Sequence, residues 1–261
     1  MIKKKELTIQ KYESITPVAS VTDEDERKYS YHVPTQATLW RAKTLFSEER
    51  ETIKWINSFN AQDVFLDVGA NVGMYTIYAA VRHNLKVYAF EPEAQNYALL
   101  NKNIELNGQN QNVRAYCVGL LDKFEFTELY LSRILCGGSG HSLGESVNFI
   151  LEPSKPAYVQ GSVSATIDWL IQNQVIPIPT KIKIDVDGFE RKIIEGGKIT
   201  LAEKKLTSVL VEINDQLDEH LEIIDIMIQH GFSFDECQVE EARVKDGVFK
   251  GMANIIFERQ F

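Results

Sequence analysis

Short apolar segments that alternate with longer helical ones limit most strongly how this chain can fold. Val64–Val68 and Lys86–Phe90 are largely apolar, and helical periodicity follows each of them, over 72–81 and Ala94–Leu106. A further apolar segment covers 113–118. Buried parallel strands have this composition, and strands separated by helices of ten or more residues form βαβ units. The sequence therefore predicts an α/β fold with a parallel sheet.

The second half of the chain repeats this alternation with three more strands and three more helices. The strands are predicted over 181–186, 208–213 and 253–257, and the helices over 166–174, 189–199 and 218–230. Between these two regular regions, residues 122–160 contain extended segments and loops rich in glycine, serine and proline. An insertion in an otherwise regular sheet is a common location for substrate specificity.

Two parts of the chain follow from this pattern. Residues 1–60 are expected to form an N-terminal extension, irregular up to residue 30 and helical over 35–59. Residues 61–261 are expected to form the α/β domain, with the insertion at about 122–160.

Composition and charge exclude several classes of protein. The net charge of −9 disfavours nucleic-acid partners, whose phosphates attract basic surfaces. The three cysteines are scattered and lack metal-ligand spacing, so neither a zinc site nor a disulfide framework is expected. No apolar run approaches the roughly 20 residues of a membrane span, and no signal-peptide pattern follows Met1. These features predict a cytoplasmic protein.

The strongest functional motif follows the first predicted strand. It reads Asp67-Val-Gly-Ala-Asn-Val-Gly73, and its glycines permit a sharp turn and a close approach of the backbone to a ligand. Glu91 follows the second strand, where an acidic side chain can accept hydrogen bonds from ribose hydroxyls. A strand, a glycine turn, a helix, a strand and an acid together predict a nucleoside-binding site.

The carboxylate of Asp67 selects among nucleoside ligands. Dinucleotide dehydrogenases carry G-x-G-x-x-G, and here Asp67 stands at the first glycine position. Two like charges about 4 Å apart cost roughly 4 kcal/mol at an effective dielectric constant of about 20, which disfavours a pyrophosphate. The sulfonium and ammonium of S-adenosylmethionine are favoured instead. An NAD-dependent oxidoreductase and a non-catalytic nucleoside-binding module are the alternatives.

Several motifs together resemble the FkbM family of S-adenosylmethionine-dependent methyltransferases. They are Phe65-Leu-Asp-Val-Gly-Ala-Asn-Val-Gly73, Phe90-Glu-Pro-Glu93, Asn101-Lys-Asn-Ile104 with Leu106-Asn107, Thr166-Ile-Asp-Trp-Leu170, Lys183-Ile-Asp-Val-Asp-Gly-Phe-Glu190 and Val211-Glu212. The resemblance implies the class I methyltransferase fold, a Rossmann-like, doubly wound, mostly parallel sheet of seven strands. It also implies O-methylation of a hydroxyl group on a sugar, a polysaccharide or a natural product.

The resemblance further implies where the cofactor binds. Asp67, Gly69, Asn71 and Gly73 would contact its methionine part and Glu91 its ribose, while Gly119 and its neighbours would lie near the adenine. The chain departs from the family at Asp187, where the family usually has glutamate.

Candidate catalytic residues lie at the end of the fourth α/β strand and in the insertion. Asp185 and Asp187 could remove the acceptor proton or orient the acceptor; alternatively, with Glu190, they cap the helix that follows. His141 could serve as a base because its pKa is normally near neutral.

A magnesium ion is a further alternative, though not the favoured one. Asp185 with Glu212, Asn214 and Asp215 would provide oxygen ligands from two adjacent strand ends. Trp40 and Trp55 could contact the acceptor, but packing within a helical extension is the preferred interpretation.

Overall fold

The computed structural model describes residues 8–13 and 15–260, with the side chains of residues 12 and 13 left out of the description. The strands in this part of the chain are β1 (Val18–Thr22), β2 (Lys28–His32), β3 (Val64–Val68), β4 (Lys86–Phe90), β5 (Val113–Tyr116), β6 (Gly119–Leu120), β7 (Glu125–Leu131), β8 (Ser142–Leu143), β9 (Tyr158–Ala165), β10 (Lys181–Ile184), β11 (Ser208–Asn214), β12 (Phe232–Ser233) and β13 (Met252–Arg259). The helices are α1 (Ile9–Glu13), α2 (Gln36–Thr44), α3 (Arg50–Asn57), α4 (Met74–His83), α5 (Ala94–Leu106), α6 (Ile167–Gln172), α7 (Glu190–Glu195), α8 (Lys198–Ala202), α9 (Asp218–Gln229) and α10 (Glu236–Ala242).

A seven-stranded sheet forms the centre of the molecule and confirms the predicted fold class. Its strand order is β12-β13-β11-β10-β3-β4-β5, and only β13 runs against the other strands. Chain order reverses between β3 and β10, because β4 and β5 lie on one side of β3 while β10 and β11 lie on the other. The carboxyl ends of β3 and β10 therefore flank a topological switch point, where ligands bind in open α/β sheets.

Both faces of this sheet are covered, which explains why its strands are largely apolar. Successive residues of a strand point to opposite faces, and Phe65 packs in one apolar cluster while its neighbour Leu66 packs in the other. The first cluster includes residues of α3, α4 and α5, and the second includes residues of α6 to α9. The sheet thus holds its strand ends rigidly on both sides.

The prediction that residues up to 30 are irregular was wrong for the described part of that segment. β1 and β2 form an antiparallel hairpin, and Tyr29 and Tyr31 of β2 are buried in the same apolar cluster as Phe65. The side chain of Asn103 accepts a hydrogen bond from the backbone N–H of His32 at 2.8 Å, and Asn107 makes a similar bond to Ser30 at 3.0 Å. Residues 1–7 and 14 lie outside the described residues, and the boundary at residue 60 stays a prediction.

The insertion forms a second, smaller sheet. Its strand order is β6-β9-β7-β8, and the long pairing of β7 with β9 is antiparallel. The glycine-rich segment 137–140 joins β7 to β8 as a loop. This small sheet places that loop beside the carboxyl ends of the central strands.

Two further details differ from the sequence prediction. The helix predicted over 189–199 consists of α7 and α8, separated by Gly196 and Gly197. A Cβ atom at Gly196 would lie 2.2 Å from the carbonyl oxygen of Leu121, so the chain passes too close to the insertion for a larger residue. The short elements β12 and α10 were not predicted. None of the described helices combines the length and the apolar character needed to cross a bilayer.

Candidate functional site

A cavity of about 610 Å³ opens at the switch point of the central sheet. Its lining includes residues from the carboxyl ends of β3, β4, β10 and β11, from the glycine-rich loop of the insertion, and from the segment between α2 and α3. The cavity therefore combines the rigid edge of the sheet with the variable parts of the chain.

The turn after β3 needs glycine for steric reasons. Gly69 has φ +80°, and a Cβ atom there would lie 1.9 Å from the carbonyl oxygen of Asp185. Asn71 also has positive φ, and its side-chain oxygen accepts the N–H of Val72 at 2.9 Å. Gly69 and Asn71 line the cavity, whereas Gly73 is not among the lining residues. A Cβ atom at Gly73 would lie 2.4 Å from Leu100, so helix packing accounts for that glycine.

Asp67 presents one carboxylate oxygen without a partner. Its Oδ2 accepts a hydrogen bond from the Thr76 hydroxyl at 2.5 Å, while Oδ1 is buried and has no partner among the described residues. Burial raises the pKa of Asp67, and the positive charge of Lys183 opposes that rise. A buried acceptor of this kind is costly unless a ligand provides a donor.

Glu91 is held in place by two backbone N–H groups. Its two oxygens accept hydrogen bonds from Asn71 and Glu93, each at 2.8 Å. Burial raises the pKa of Glu91 to about 7 in spite of these bonds. Each carboxylate oxygen can accept a second hydrogen bond, so both remain able to bind ligand hydroxyls from the cavity.

Gly119 lines the cavity from β6, beyond the end of β5. A Cβ atom at this position would lie 2.2 Å from a methyl group of Leu143 in β8. Gly119 therefore lets the insertion pack closely against this side of the cavity.

Lys183 was not predicted as a site residue, although it belongs to a quoted motif. It is 1% exposed, it lies beside Asp67 in the sheet register, and its Nζ lies 2.5 Å from Oδ2 of Asp185. Burial lowers the pKa of Lys183, but the carboxylates of Asp185, Glu49 and Asp67 outweigh burial and raise it overall. The sequence feature that could have identified this residue is a lysine in the middle of a predicted buried strand.

Asp187 and Asp185 both line the cavity but have different partners. Asp187 has φ +60°, and its Oδ2 accepts the backbone N–H of Gly140 at 2.8 Å. Burial, followed by the charge of Asp185, raises the pKa of Asp187 to about 7. Glu190 instead accepts hydrogen bonds from the backbone N–H groups of Val186 and Gly188. Of the three acids, it is therefore the one that stabilises the turn into α7.

His141 lies in the cavity wall in a neutral form. Burial, together with Arg133 and Arg41, lowers its pKa to about 4. Its Nδ1 accepts the backbone N–H of Ser132 at 3.2 Å, so the ring proton resides on Nε2. In this tautomer His141 is a hydrogen-bond donor, and a role as base would require the ring to release the Ser132 N–H.

Two asparagines fix the glycine-rich loop over the glycine turn. The side-chain N–H groups of Asn71 and Asn96 donate to the carbonyl oxygen of Gly138 at 2.7 and 3.2 Å. Asn96 also accepts the N–H of Gly137, and Arg41 donates to the Gly137 carbonyl oxygen. The side chain of Asn71 thus binds the insertion, a contact that the sequence did not reveal.

The four residues considered as magnesium ligands do not come together. Asp185 and Glu212 line the cavity, but Asn214 caps the turn at Gln216 and Asp215 pairs with Arg243. Within residues 8–13 and 15–260, no group of three or more histidine, cysteine, aspartate or glutamate residues is arranged to hold a metal ion.

The two tryptophans have different environments. Trp40 lines the cavity and is 53% exposed. Trp55 is buried against Phe59 and Phe65, and its Nε1 donates to the Ser208 hydroxyl at 2.8 Å. Packing therefore accounts for Trp55, as preferred from the sequence, while Trp40 is available to a ligand.

Acidic side chains dominate the charge of the cavity. Against the cations Arg41, Arg50 and Lys183, its lining contains ten carboxyl groups, those of Glu48, Glu49, Glu51, Asp67, Glu91, Glu93, Asp185, Asp187, Glu212 and Glu241. A ligand with net positive charge is favoured in such surroundings, and a pyrophosphate is disfavoured.

Comparison with known proteins agrees with this architecture. The profile of the methyltransferase FkbM domain matches residues 67–234. The hexuronic acid methyltransferase AglP of Haloferax volcanii is 25% identical over 191 residues, which cover 72% of this chain and 71% of that protein. The 31-O-demethyl-FK506 methyltransferase FkbM of Streptomyces tacrolimicus is 25% identical over 200 residues, covering 66% of this chain and 73% of that protein.

A solved structure shows the same fold. The crystal structure of methyltransferase FkbM from Methylobacillus flagellatus aligns with a TM-score of 0.50 and 15% identity, covering 77% of this chain. This chain spans only 44% of that longer protein. The central sheet is that of class I methyltransferases, and the domain match extends over more than half of the residues. The chain is therefore a methyltransferase that belongs to the FkbM family.

Proposed function

We propose that this methyltransferase uses S-adenosylmethionine to methylate a hydroxyl group of a sugar, a glycan or a natural product. The observation that carries the proposal is the free, buried Oδ1 of Asp67 in an acidic cavity at the switch point of the sheet. That oxygen requires a donor from outside the chain, and an ammonium group provides one.

The other residues around the cavity fit the remainder of the same cofactor. Glu91 has acceptor capacity for two ribose hydroxyls, and the backbone at Gly69 leaves room for close approach. The wall near Gly119 is apolar, with Leu120 and Leu143 beside it, as an adenine ring requires. When bound, the cofactor supplies a methyl group on a positively charged sulfur, which needs little further activation.

The alternative dinucleotide ligand meets unfavourable charge in this cavity. Asp67, Glu91 and Asp185 all lie around the glycine turn, where a pyrophosphate would bind in a dehydrogenase. The buried cation Lys183 already pairs with Asp185. The oxidoreductase is therefore not favoured.

Removal of the acceptor proton is assigned to Asp187. Its pKa of about 7 suits a base at neutral pH, and Oδ2 is positioned by Gly140 while Oδ1 has no hydrogen-bond partner in the described residues. Asp185, paired with Lys183, orients the acceptor hydroxyl. His141 donates a hydrogen bond from the insertion.

The acceptor class is supported by the relatives. The protein of Haloferax volcanii is named for a hexuronic acid and that of Streptomyces tacrolimicus for the 31-O position of FK506. Both molecules carry hydroxyl groups, and the cavity of this chain is rich in acceptors for hydroxyl donors.

A labelled-methyl assay tests the proposal. Protein is incubated with S-adenosylmethionine carrying a radioactive methyl group and a panel of glycosides and polyols, and the product linkage is determined by mass spectrometry. We expect label in an ether linkage, with a rate that rises with pH through about 7 and loses this dependence in Asp187→Asn. Cofactor binding without transfer to any member would indicate a binding module, and label on nitrogen or carbon would refute O-methylation.

A further inference from the structure

The part of the cavity beside the ends of β10 and β11 has a surplus of negative charge and of hydrogen-bond acceptors. We define this acceptor end by Glu49, Glu51, Asp185, Glu212 and Asn254, all of which line the cavity. The Nδ2 group of Asn254 already donates hydrogen bonds to the carboxylates of Glu49 at 3.1 Å and Glu51 at 3.0 Å. Asp185 takes the ammonium of Lys183. The amide of Asn254 and the ammonium of Lys183 are thus already engaged, while Arg50, which also lines the cavity, is exposed.

Two acceptors at this end remain without a donor. Asn254 is 6% exposed, and its Oδ1 has no partner in the described part of the chain. Glu212 is the register neighbour of Asn254 in the sheet, and its carboxylate makes no hydrogen bond or ion pair with any described residue. Because a buried polar group is normally paired, the Asn254 oxygen indicates that a ligand brings a donor, and the half-buried carboxylate of Glu212 lies beside it.

The electrostatic surroundings of Glu212 identify the charge of that ligand. Burial raises the pKa of Glu212 well above its usual value, and Asp185, Glu190, Asp187 and Glu49 raise it further. These four carboxylates face it from the end of β10, from α7 and from the segment before α3. A cation next to Glu212 would relieve this repulsion, whereas a ligand carboxylate would add to it.

We propose that the acceptor end binds a positively charged amino group of the acceptor molecule, with Glu212 as its principal partner, so that the substrate class is an amino sugar or a similar aminated polyol. An ammonium group carries three N–H donors and no acceptor, which suits a surface where Oδ1 of Asn254 and the carboxylate of Glu212 lack donors. The inference rests on the proposed function, and it distinguishes this chain from its relative named for a hexuronic acid, an anion at neutral pH.

Three matched glycosides test the proposal by calorimetry in the presence of saturating S-adenosylhomocysteine. They are methyl 2-amino-2-deoxy-β-D-glucopyranoside, methyl β-D-glucopyranoside and the methyl glycoside of glucuronic acid. We expect the affinity to fall in that order, with the amine binding at least about tenfold more tightly than the uronate. The variant Glu212→Gln keeps the shape of the side chain, and it should remove most of the preference for the amine.

Controls separate this result from a general effect of charge. Glu219→Gln removes an exposed carboxylate of α9 outside the cavity and should leave the preference intact. Equal or tighter binding of the uronate, an amine preference that survives in Glu212→Gln, or no binding of any of the three glycosides would overturn the inference. The first titration of the series measures the binding of S-adenosylhomocysteine alone. Its failure to bind would instead overturn the proposed function.

Discussion

Replacement of Lys183 by methionine should destabilise the protein strongly. Lys183 is 1% exposed and its ammonium offsets the charges of Asp185, Glu49 and Asp67. Methionine has a similar length, so the variant leaves little empty space and mainly removes the charge. Breaking a buried ion pair by deleting one partner costs about 3–5 kcal/mol, because the remaining charge is left buried without compensation.

The loss should depend on pH in a defined direction. Burial raises the pKa values of Asp67 and Glu49, and Lys183 opposes that rise, so the variant raises both further. A carboxyl group with a raised pKa in the folded state binds a proton that the unfolded state has lost, and stability then falls as pH rises. The free energy of unfolding lost in Lys183→Met should therefore be larger at pH 8 than at pH 5.

Urea denaturation of the full chain at these two pH values measures the effect. The control is Lys181→Met in the same strand, whose ammonium lies 5.5 Å from the ring centroid of Phe59 and bonds no carboxylate in the described structure. That control should lose no more than about 1 kcal/mol. A loss in Lys183→Met as small as that of the control, or one that grows as pH falls, would refute the electrostatic role of Lys183.

Three further predictions concern the glycine turn and its contacts. Gly69→Ala should lower the free energy of unfolding by about 3 kcal/mol or more, because the new Cβ would collide with the Asp185 backbone. Gly108→Ala, also at positive φ but with no atom within 4 Å, should lower it by about 1–2 kcal/mol, and similar losses in urea denaturation would contradict this reasoning. Affinity for S-adenosylhomocysteine should weaken as pH falls below about 7, because Glu91 then accepts a proton in place of ribose hydrogen bonds. Calorimetry of Glu91→Gln should show weaker binding that does not depend on pH in this way, and an equally pH-dependent variant would exclude Glu91 as the cause. Asn71→Ala should accelerate tryptic cleavage after Arg133, because it releases Gly138. The control Asn101→Ala replaces an exposed asparagine of α5 and should be cleaved at the wild-type rate, and equal rates in all three proteins would show that Asn71 does not hold the loop.

The regular α/β region could be predicted from the sequence because local pattern and tertiary burial agree there. The strands Val64–Val68 and Lys86–Phe90 and the helix Ala94–Leu106 have the predicted bounds. Each strand is covered on both faces, so an uninterrupted apolar run has only one stable placement. The glycine turn was equally readable, since positive φ at Gly69 restricts the residue type.

Features that depend on distant partners could not be predicted in this way. The β1–β2 hairpin is short and polar on one side, and it is fixed by Asn103 of α5 and by Asn107 just after it, more than 70 residues away. The break between α7 and α8 arises from contact of Gly196 with Leu121 of the insertion. Likewise, only the folded structure shows that Lys183 pairs with Asp185 and that two asparagines bind the carbonyl oxygen of Gly138.

The choice of a cationic nucleoside ligand over a dinucleotide is tested most directly by calorimetric titration with S-adenosylmethionine and with NAD. The account predicts binding of S-adenosylmethionine to the wild-type chain, no detectable binding of NAD, and weaker binding of S-adenosylmethionine in Asp67→Asn, which removes the charge but keeps the shape. Binding of NAD by the wild-type chain together with no binding of S-adenosylmethionine, or an affinity for S-adenosylmethionine unchanged in Asp67→Asn, would contradict it.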